Sequence, residues 1–176
     1  MKVVRIAAVA GVLVLAGVLG WRLTHQPKTV LAAVSHGKIV QAPLFRLKPL
    51  SGSGTVSLAA LRGKAVVINF WASDCGPCKK EMPRLQAASE RWRAKGAEVV
   101  GIDVLDSRAA ARAFARKHGV TYTIGFDPLG DTVAPYGVLA TPTTFFVDRH
   151  GRIVKRILGP VSKADLDTEI TRALES

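Results

Sequence analysis

The stretch Cys75-Gly76-Pro77-Cys78 lies between an apolar run and a helical pattern. The run Ala65-Val66-Val67-Ile68-Asn69-Phe70-Trp71 predicts a buried strand, and residues 79–85 predict the start of a helix. Unpaired N–H groups and the helix dipole at a helix N-terminus favour a thiolate, so Cys75 is expected to be a nucleophile near neutral pH. Cys78 lies one turn further along, where it can resolve a mixed disulfide. The spacing therefore predicts a redox-active pair.

A structural disulfide and a metal site are two other uses of these cysteines, which are the only two in the chain. A disulfide that closes so short a loop restrains the unfolded chain very little. A zinc site usually has four ligands, and no second Cys-x-x-Cys motif or paired histidines supply the rest. The four histidines are scattered and none is close to the cysteines in sequence: His25, His36, His118 and His150. We therefore predict no metal site.

The N-terminus predicts a membrane anchor. A basic start is followed by sixteen residues, 6–21, without a charge or a strongly polar group. Residues 3–23 are long enough to span a bilayer if Arg5 and Arg22 extend toward its surfaces. A cleaved signal peptide is the alternative, but no small-x-small cleavage site directly follows Gly20.

Three segments follow from this interpretation: a transmembrane anchor over residues 1–23, a linker over 24–41 and a globular domain over 42–176. Lys2 and Arg5 favour an orientation with the N-terminus inside the cell. The expected location is the bacterial inner membrane, crossed once, with the domain on the periplasmic or extracytoplasmic side.

The formal charge of +12 raises the question of nucleic-acid binding. The basic residues are spread along predicted helix faces, without an aromatic-rich strip or a recognisable nucleic-acid module. We therefore predict no nucleic-acid partner. A solvated basic surface that faces anionic lipid headgroups is favoured, and an acidic protein partner is the alternative.

The order of the remaining elements predicts an α/β fold. A second buried strand is expected over residues 97–104, and Ser107 is placed to cap a helix that continues through residue 118. Residues 143–147 and 152–158 predict two strands joined by a turn, as in a hairpin. Residues 42–47 also predict a strand. A final helix begins at Ser162, where Asp165 occupies the reciprocal capping position.

Two motifs in this order resemble the thioredoxin superfamily, and more closely its membrane-anchored TlpA/ResA group. They are Trp71-Ala72-Ser73-Asp74-Cys75-Gly76-Pro77-Cys78 and, some sixty residues later, Thr141-Pro142-Thr143. The resemblance runs from about residue 42 to the C-terminus and implies a thioredoxin-like fold, a central mixed sheet flanked by helices. Four more motifs fit the group: Ala42-Pro43-x-Phe45, Leu61-Arg62-Gly63-Lys64, Asn69-Phe70-Trp71 and Asp148-x-x-Gly151.

The resemblance also implies roles for individual residues. The Thr141–Pro142 peptide is expected to be cis and to lie against the disulfide, and Trp71, Thr141 and Pro142 are expected to bind substrate. Glu81 matches the acidic residue of ResA-like proteins and is expected to modulate Cys78, although a first-turn glutamate that the helix dipole stabilises is the alternative.

Two residues bear on how the cysteines ionise. Asn69 stands where thioredoxins proper carry an aspartate, as is usual in the TlpA/ResA group. Asp74 departs from the group, which commonly has tryptophan before the first cysteine. A carboxylate at this position is expected to oppose the Cys75 thiolate, unless solvent screens it.

The function implied is that of a thiol-disulfide oxidoreductase without a cofactor that reduces disulfides in exported clients. A Gly-Pro spacer between the two cysteines is associated with a reducing potential of about −270 mV. The group implies apocytochrome c or copper-site clients and a membrane-embedded thiol electron donor. One alternative is a peroxiredoxin-like peroxidase, which is disfavoured because Ala72 stands where threonine is expected. Another is a non-catalytic module that binds Cu(I) or holds a client.

Overall fold

The computed structural model describes residues 39–176, which form one eight-stranded sheet and four helices. The strands are β1 Val40–Gln41, β2 Arg46–Pro49, β3 Val56–Ser57, β4 Ala65–Trp71, β5 Ala97–Val104, β6 Thr123–Asp127, β7 Thr143–Val147 and β8 Arg152–Leu158. The helices are α1 Cys78–Trp92, α2 Arg108–Lys117, α3 Val133–Tyr136 and α4 Lys163–Glu175, and short 3-10 turns cover Leu58–Leu61 and Arg93–Lys95.

The strand that leads to the cysteines, β4, lies inside the sheet, whose strand order is β1-β8-β7-β4-β5-β6-β2-β3. It pairs in parallel with β5 and antiparallel with β7. All seven of its residues are buried, which explains why it reads as a continuous apolar run and not as an alternating one. The predicted strand is confirmed, and so is the predicted mixed sheet flanked by helices.

A separate apolar core covers each face of the sheet. The first holds residues from the three longest helices, among them Leu85 of α1, Phe114 of α2 and Ile170 of α4. On the other face, Tyr136 packs 5.1 Å from Phe70 and 5.2 Å from Phe145, measured between ring centroids. Because β4 is covered on both faces, the end of this strand is a rigid support for the loop that follows it.

The N-terminal part of the sheet differs from the prediction. Residues 42–45 are not a strand, and β2 begins only at Arg46. The sheet begins at Val40, inside the expected linker over residues 24–41, because β1 pairs with the edge of β8, Val40 against Ile153. A two-residue edge strand has too few positions to show an alternating pattern. The expected anchor over residues 1–23 lies outside the described residues, and between residues 39 and 176 no helix is long and apolar enough to span a bilayer.

A capping box at the start of α4 is confirmed. The Ser162 hydroxyl accepts a hydrogen bond from the Asp165 N–H at 3.1 Å, and the Asp165 carboxylate accepts one from the Ser162 N–H at 3.0 Å. The Ser162 hydroxyl also donates to the Asp165 carboxylate, and this hydrogen bond, followed by the one from the Ser162 N–H, lowers the pKa of Asp165. These hydrogen bonds also hold the residue just before the cap, Val161, which contacts the site described below.

Replacing Ser162 with alanine tests this cap. We expect Ser162→Ala to lower the free energy of unfolding by about 1 kcal/mol, because it removes the acceptor for an N–H of the first helical turn. Thr168→Ala is the control, since Thr168 is exposed within the same helix. Denaturant unfolding of both variants measures the difference, and equal losses would contradict a capping role for Ser162.

Candidate active site

The two cysteines form a disulfide at the junction between β4 and α1. Cys78 is the first residue of α1 and is fully buried, whereas Cys75 is 8% exposed as a residue. The Cys78 backbone N–H donates a hydrogen bond to the Cys75 sulfur at 3.2 Å. A backbone donor favours the thiolate form of a sulfur atom. The structure therefore gives the predicted nucleophile, Cys75, both the greater access and the stabilising N–H.

Glu81 lies one turn beyond Cys78 on the buried face of α1. Its side chain is fully buried, and its two carboxylate oxygens accept hydrogen bonds from the Asn69 side-chain amide at 2.8 Å and from the Val161 N–H at 3.0 Å. The Asn69 amide also donates to the Thr144 hydroxyl at 3.0 Å. Asn69 of β4 and Val161, just before α4, thus hold the carboxyl in one place, and Thr144 of β7 fixes the Asn69 amide.

Burial raises the pKa of Glu81 above its usual value of 4.5, and the hydrogen bonds from Val161 and Asn69 and the charge of Arg84 only partly offset this effect. A buried carboxyl with a raised pKa beside a reactive group is typical of proton-transfer sites. Cys78 and Glu81 are three residues apart on the same helix face, so the carboxyl is suited to affect the ionisation of the Cys78 thiol.

The Thr141–Pro142 peptide is cis, as predicted. Pro142 is buried and its carbonyl oxygen accepts a hydrogen bond from the Gly159 N–H at 2.9 Å. Thr141 is half-buried and lines a surface groove together with Asp74, the neighbour of Cys75. The structure therefore brings the threonine to the same side of the molecule as the cysteines.

Trp71, which was expected to bind substrate, is fully buried at the end of β4. Its ring stacks on Phe114 with centroids 5.3 Å apart. Gly101 on β5 makes room for it, because a Cβ atom at that position would lie 2.9 Å from the Trp71 ring nitrogen. Trp71 thus packs inside the domain at the base of the cysteine loop, whereas Thr141 lines a surface groove, and a role of either residue in binding substrate stays a prediction.

Sequence reasoning missed two carboxyls behind the cysteine loop. Asp106, in the loop after β5, accepts a hydrogen bond from the Ser73 N–H at 2.7 Å, two residues before Cys75. Asp103 is fully buried on β5, where it is in register with Trp71. Burial, followed by the charges of Asp106 and Asp127, raises the pKa of Asp103 to about 8. The sequence signal was an aspartate within the apolar run 97–104.

Within residues 39–176, no group of three or more histidine, cysteine, aspartate or glutamate side chains is placed to hold a metal ion. What the arrangement offers is a disulfide in which Cys75 is the more exposed residue, a buried carboxyl on the helix that follows, and a groove lined by the neighbouring Asp74.

A mixed sheet with a Cys-x-x-Cys pair at a strand–helix junction and a cis Thr141–Pro142 peptide defines a thioredoxin-like protein. The AhpC/TSA family profile matches residues 40–156, more than half of the chain, so the protein belongs to the AhpC/TSA family. By class it is a thiol-disulfide oxidoreductase.

Three similar proteins illustrate this placement. The thiol-disulfide oxidoreductase ResA from Bacillus thuringiensis subsp. konkukian is 30% identical over 155 residues, which cover 88% of each chain. A thiol:disulfide interchange protein of the thioredoxin family from Chlorobium tepidum is 30% identical with a TM-score of 0.69, over 77% of this chain and 97% of that one. A secreted thiol-disulfide isomerase from Corynebacterium glutamicum is 26% identical with a TM-score of 0.70, over 78% and 92% of the two chains.

The proposed influence of Glu81 on Cys78 is testable in the reduced protein. An ionised carboxylate near a thiol opposes the thiolate, so we expect Glu81→Gln to lower the pKa of the Cys78 thiol by about 1 unit. The ultraviolet absorbance of the thiolate, recorded against pH, measures this shift. Glu90→Gln is the matched control, because Glu90 is exposed on the same helix. An unchanged titration in Glu81→Gln would contradict the role of this carboxyl.

Asp103 makes a second pH-dependent contribution. The folded protein holds the Asp103 proton more tightly than the unfolded chain does, so its ionisation favours unfolding. The contribution of Asp103 to stability is therefore expected to fall as the pH rises from 3.8 to about 8. Asp103→Asn removes this decline, whose slope is at most about 1.4 kcal/mol per pH unit.

Denaturant unfolding between these pH values compares Asp103→Asn with the wild type. Asp131→Asn serves as the control, since Asp131 is exposed. If the difference in unfolding free energy between wild type and Asp103→Asn stayed constant across this range, the raised pKa would be refuted.

Proposed function

We propose that this protein is a membrane-anchored reductase of disulfides in client proteins on the extracytoplasmic side of the membrane. The observation that carries the proposal is the unequal exposure of the two cysteines, with Cys75 accessible and Cys78 fully buried at the first turn of α1. A client disulfide approaching from solvent meets only the first of the two sulfurs. Cys78 is protected from outside and reacts within the molecule.

The reaction is a sequence of two thiol-disulfide exchanges. In the reduced protein the Cys75 thiolate attacks one sulfur of a client disulfide, which forms a Cys75–client bond and releases the other client sulfur as a thiolate. The Cys78 thiolate then attacks the Cys75 sulfur, which forms the Cys75–Cys78 disulfide and releases the second client thiolate. The client gains two electrons, and the protein loses them.

Two groups assist these steps. The Cys78 N–H stabilises negative charge on the Cys75 sulfur, which favours both its attack and its later departure from the client. The second step requires Cys78 to lose a proton in a buried environment. Glu81, whose pKa is raised by burial, is suited to accept that proton, either directly or through an intervening water.

The reducing direction is supported by the Gly76-Pro77 spacer, which accompanies low reduction potentials in thioredoxins. Turnover then requires a dithiol donor that reduces the Cys75–Cys78 disulfide after each cycle, and we propose a membrane-embedded one. The resemblance to the TlpA/ResA group favours apocytochrome c or copper-site proteins as clients. Both kinds of client present cysteine pairs that must be reduced before they take up haem or metal.

The location rests on the sequence of residues 1–23 and on the similarity to a secreted isomerase. A single anchor with Lys2 and Arg5 inside the cell places the domain outside it. The formal charge of the whole chain, +12, suits a protein that lies near anionic lipid headgroups. Protease digestion of spheroplasts and of lysed cells tests this orientation, and a domain that is digested only after lysis would contradict it.

The redox equilibrium of the full chain in detergent tests the direction of electron flow. We expect a potential well below about −200 mV, measured against glutathione and thioredoxin buffers. A potential of about −120 mV would indicate an oxidant and would reverse the proposed direction of electron flow. Peroxide consumption by the reduced protein, with the peroxide as sole oxidant, would favour the peroxidase alternative instead.

Serine variants separate the roles of the two cysteines. We expect Cys75→Ser to abolish reduction of a disulfide-containing protein substrate, a loss of at least about 1,000-fold, because the nucleophile is gone. Cys78→Ser is expected to stall after the first exchange and to accumulate a mixed disulfide that appears on non-reducing gels. Accumulation of that species by Cys75→Ser instead would reverse the assignment of the nucleophile.

A further inference from the structure

We propose that the groove beside Cys75, lined by Asp74, Leu105, Leu139 and Thr141, selects client segments that carry a basic residue next to their cysteine and an apolar residue on its other side. This inference rests on the proposed function, since it names the class of client that the reductase prefers. The occupant is an extended segment of another protein.

The groove lies beside the loop that carries Cys75, because the residue just before this cysteine lines it. It has a volume of about 260 Å³, and Ala72 and Asp74 from the cysteine loop form part of its wall. Thr141, from the segment before β7, forms another part. A client chain whose cysteine is bonded to Cys75 therefore has its flanking residues within reach of this groove.

Two leucines form the apolar part of the groove. Leu105 and Leu139 are 67% and 79% exposed, although leucine side chains are usually buried. Val133 and Val138 also line the groove and extend the apolar surface. Residues of this kind around a concave site provide contact area for an apolar side chain of a partner.

Leu105 also has an unusual backbone conformation. Its φ angle is 55°, and among residues 39–176 it is the one non-glycine residue with a positive φ. A leucine in this left-handed region costs about 1 kcal/mol relative to an ordinary conformation. The Leu105 N–H donates a hydrogen bond to the Asp127 carbonyl at 3.1 Å, which helps to hold this geometry. A strained backbone that presents an apolar side chain to solvent is a feature typical of binding sites.

Charge supplies the second part of the selectivity. Asp74 is the one charged residue among those that line the groove, in a chain whose formal charge is +12. A carboxylate at this position attracts a lysine or arginine of the client and repels a glutamate or aspartate. Because Asp74 precedes Cys75, the favoured cation lies next to the client cysteine.

Four peptides test both preferences at once. Each contains two cysteines joined by a disulfide, and the residue before each cysteine is lysine or glutamate, while the residue after it is leucine or serine. Reduction of each peptide by the reduced full chain in detergent is followed by stopped flow. We expect the second-order rate constant for the lysine–leucine peptide to exceed that of the glutamate–serine peptide by at least about tenfold, which corresponds to about 1.4 kcal/mol.

Variants of the groove assign the preference to its residues. Asp74→Lys is expected to reverse the lysine-to-glutamate ratio, and Leu139→Ser is expected to remove the leucine-to-serine ratio. A change at Asp74 also affects the Cys75 thiolate, but that effect is common to all four peptides and cancels in the ratios. The matched controls are Asp131→Lys and Leu129→Ser, which change an exposed carboxylate and a 79% exposed leucine outside the groove lining. Neither control is expected to alter the ratios.

The outcomes separate this inference from the proposed function. Equal reduction of all four peptides would overturn the selectivity of the groove and leave the reductase intact. Ratios that change as much in Asp131→Lys as in Asp74→Lys would also overturn it. If the protein reduced none of the four peptides and also failed to reduce a small aromatic disulfide used as a reference, the proposed function and this inference would be overturned together.

Discussion

One buried carboxyl connects the parts of the molecule on which the site depends. Glu81 of α1 accepts a hydrogen bond from Asn69 of β4 and another from the N–H of Val161, just before α4. An unpaired carboxyl at this depth would cost several kcal/mol, so strand, helix and loop are held in one arrangement by the need to satisfy it. That arrangement places Cys78 at the first turn of α1, behind Cys75.

Two buried carboxyls lie near the cysteine loop, on different elements of the fold. Glu81 lies on the helix that carries Cys78, whereas Asp103 lies on β5 beside Trp71. Burial raises the pKa of both. A site in which charge appears on sulfur and disappears again in each cycle gains from neighbouring carboxyls whose pKa is raised, because such groups can accept and return a proton. The groove lined by Asp74 and Thr141 is the surface that we propose contacts the client.

Much of the fold was predictable because local signals agreed with the tertiary structure. The apolar run of β4, the caps at Ser107 and Ser162, and the β7–β8 hairpin all formed where expected. The strand predicted over residues 42–47 was wrong in its position, because a short edge strand follows its pairing partner and not its own pattern. The roles of Asp103 and Asp106 were missed, since one aspartate in an apolar run does not reveal its surroundings.

The sequence by itself determined the chemistry, because two cysteines three residues apart before a helix, with no other metal ligands nearby, leave redox exchange as the favoured use. It also determined the cis peptide through the motif shared with a known group. Only the tertiary structure decided which cysteine is accessible, that Trp71 is buried, and that Leu105 and Leu139 line a groove with Asp74. Burial and the raised pKa values arise from residues distant in sequence, whose proximity depends on strand order and helix packing.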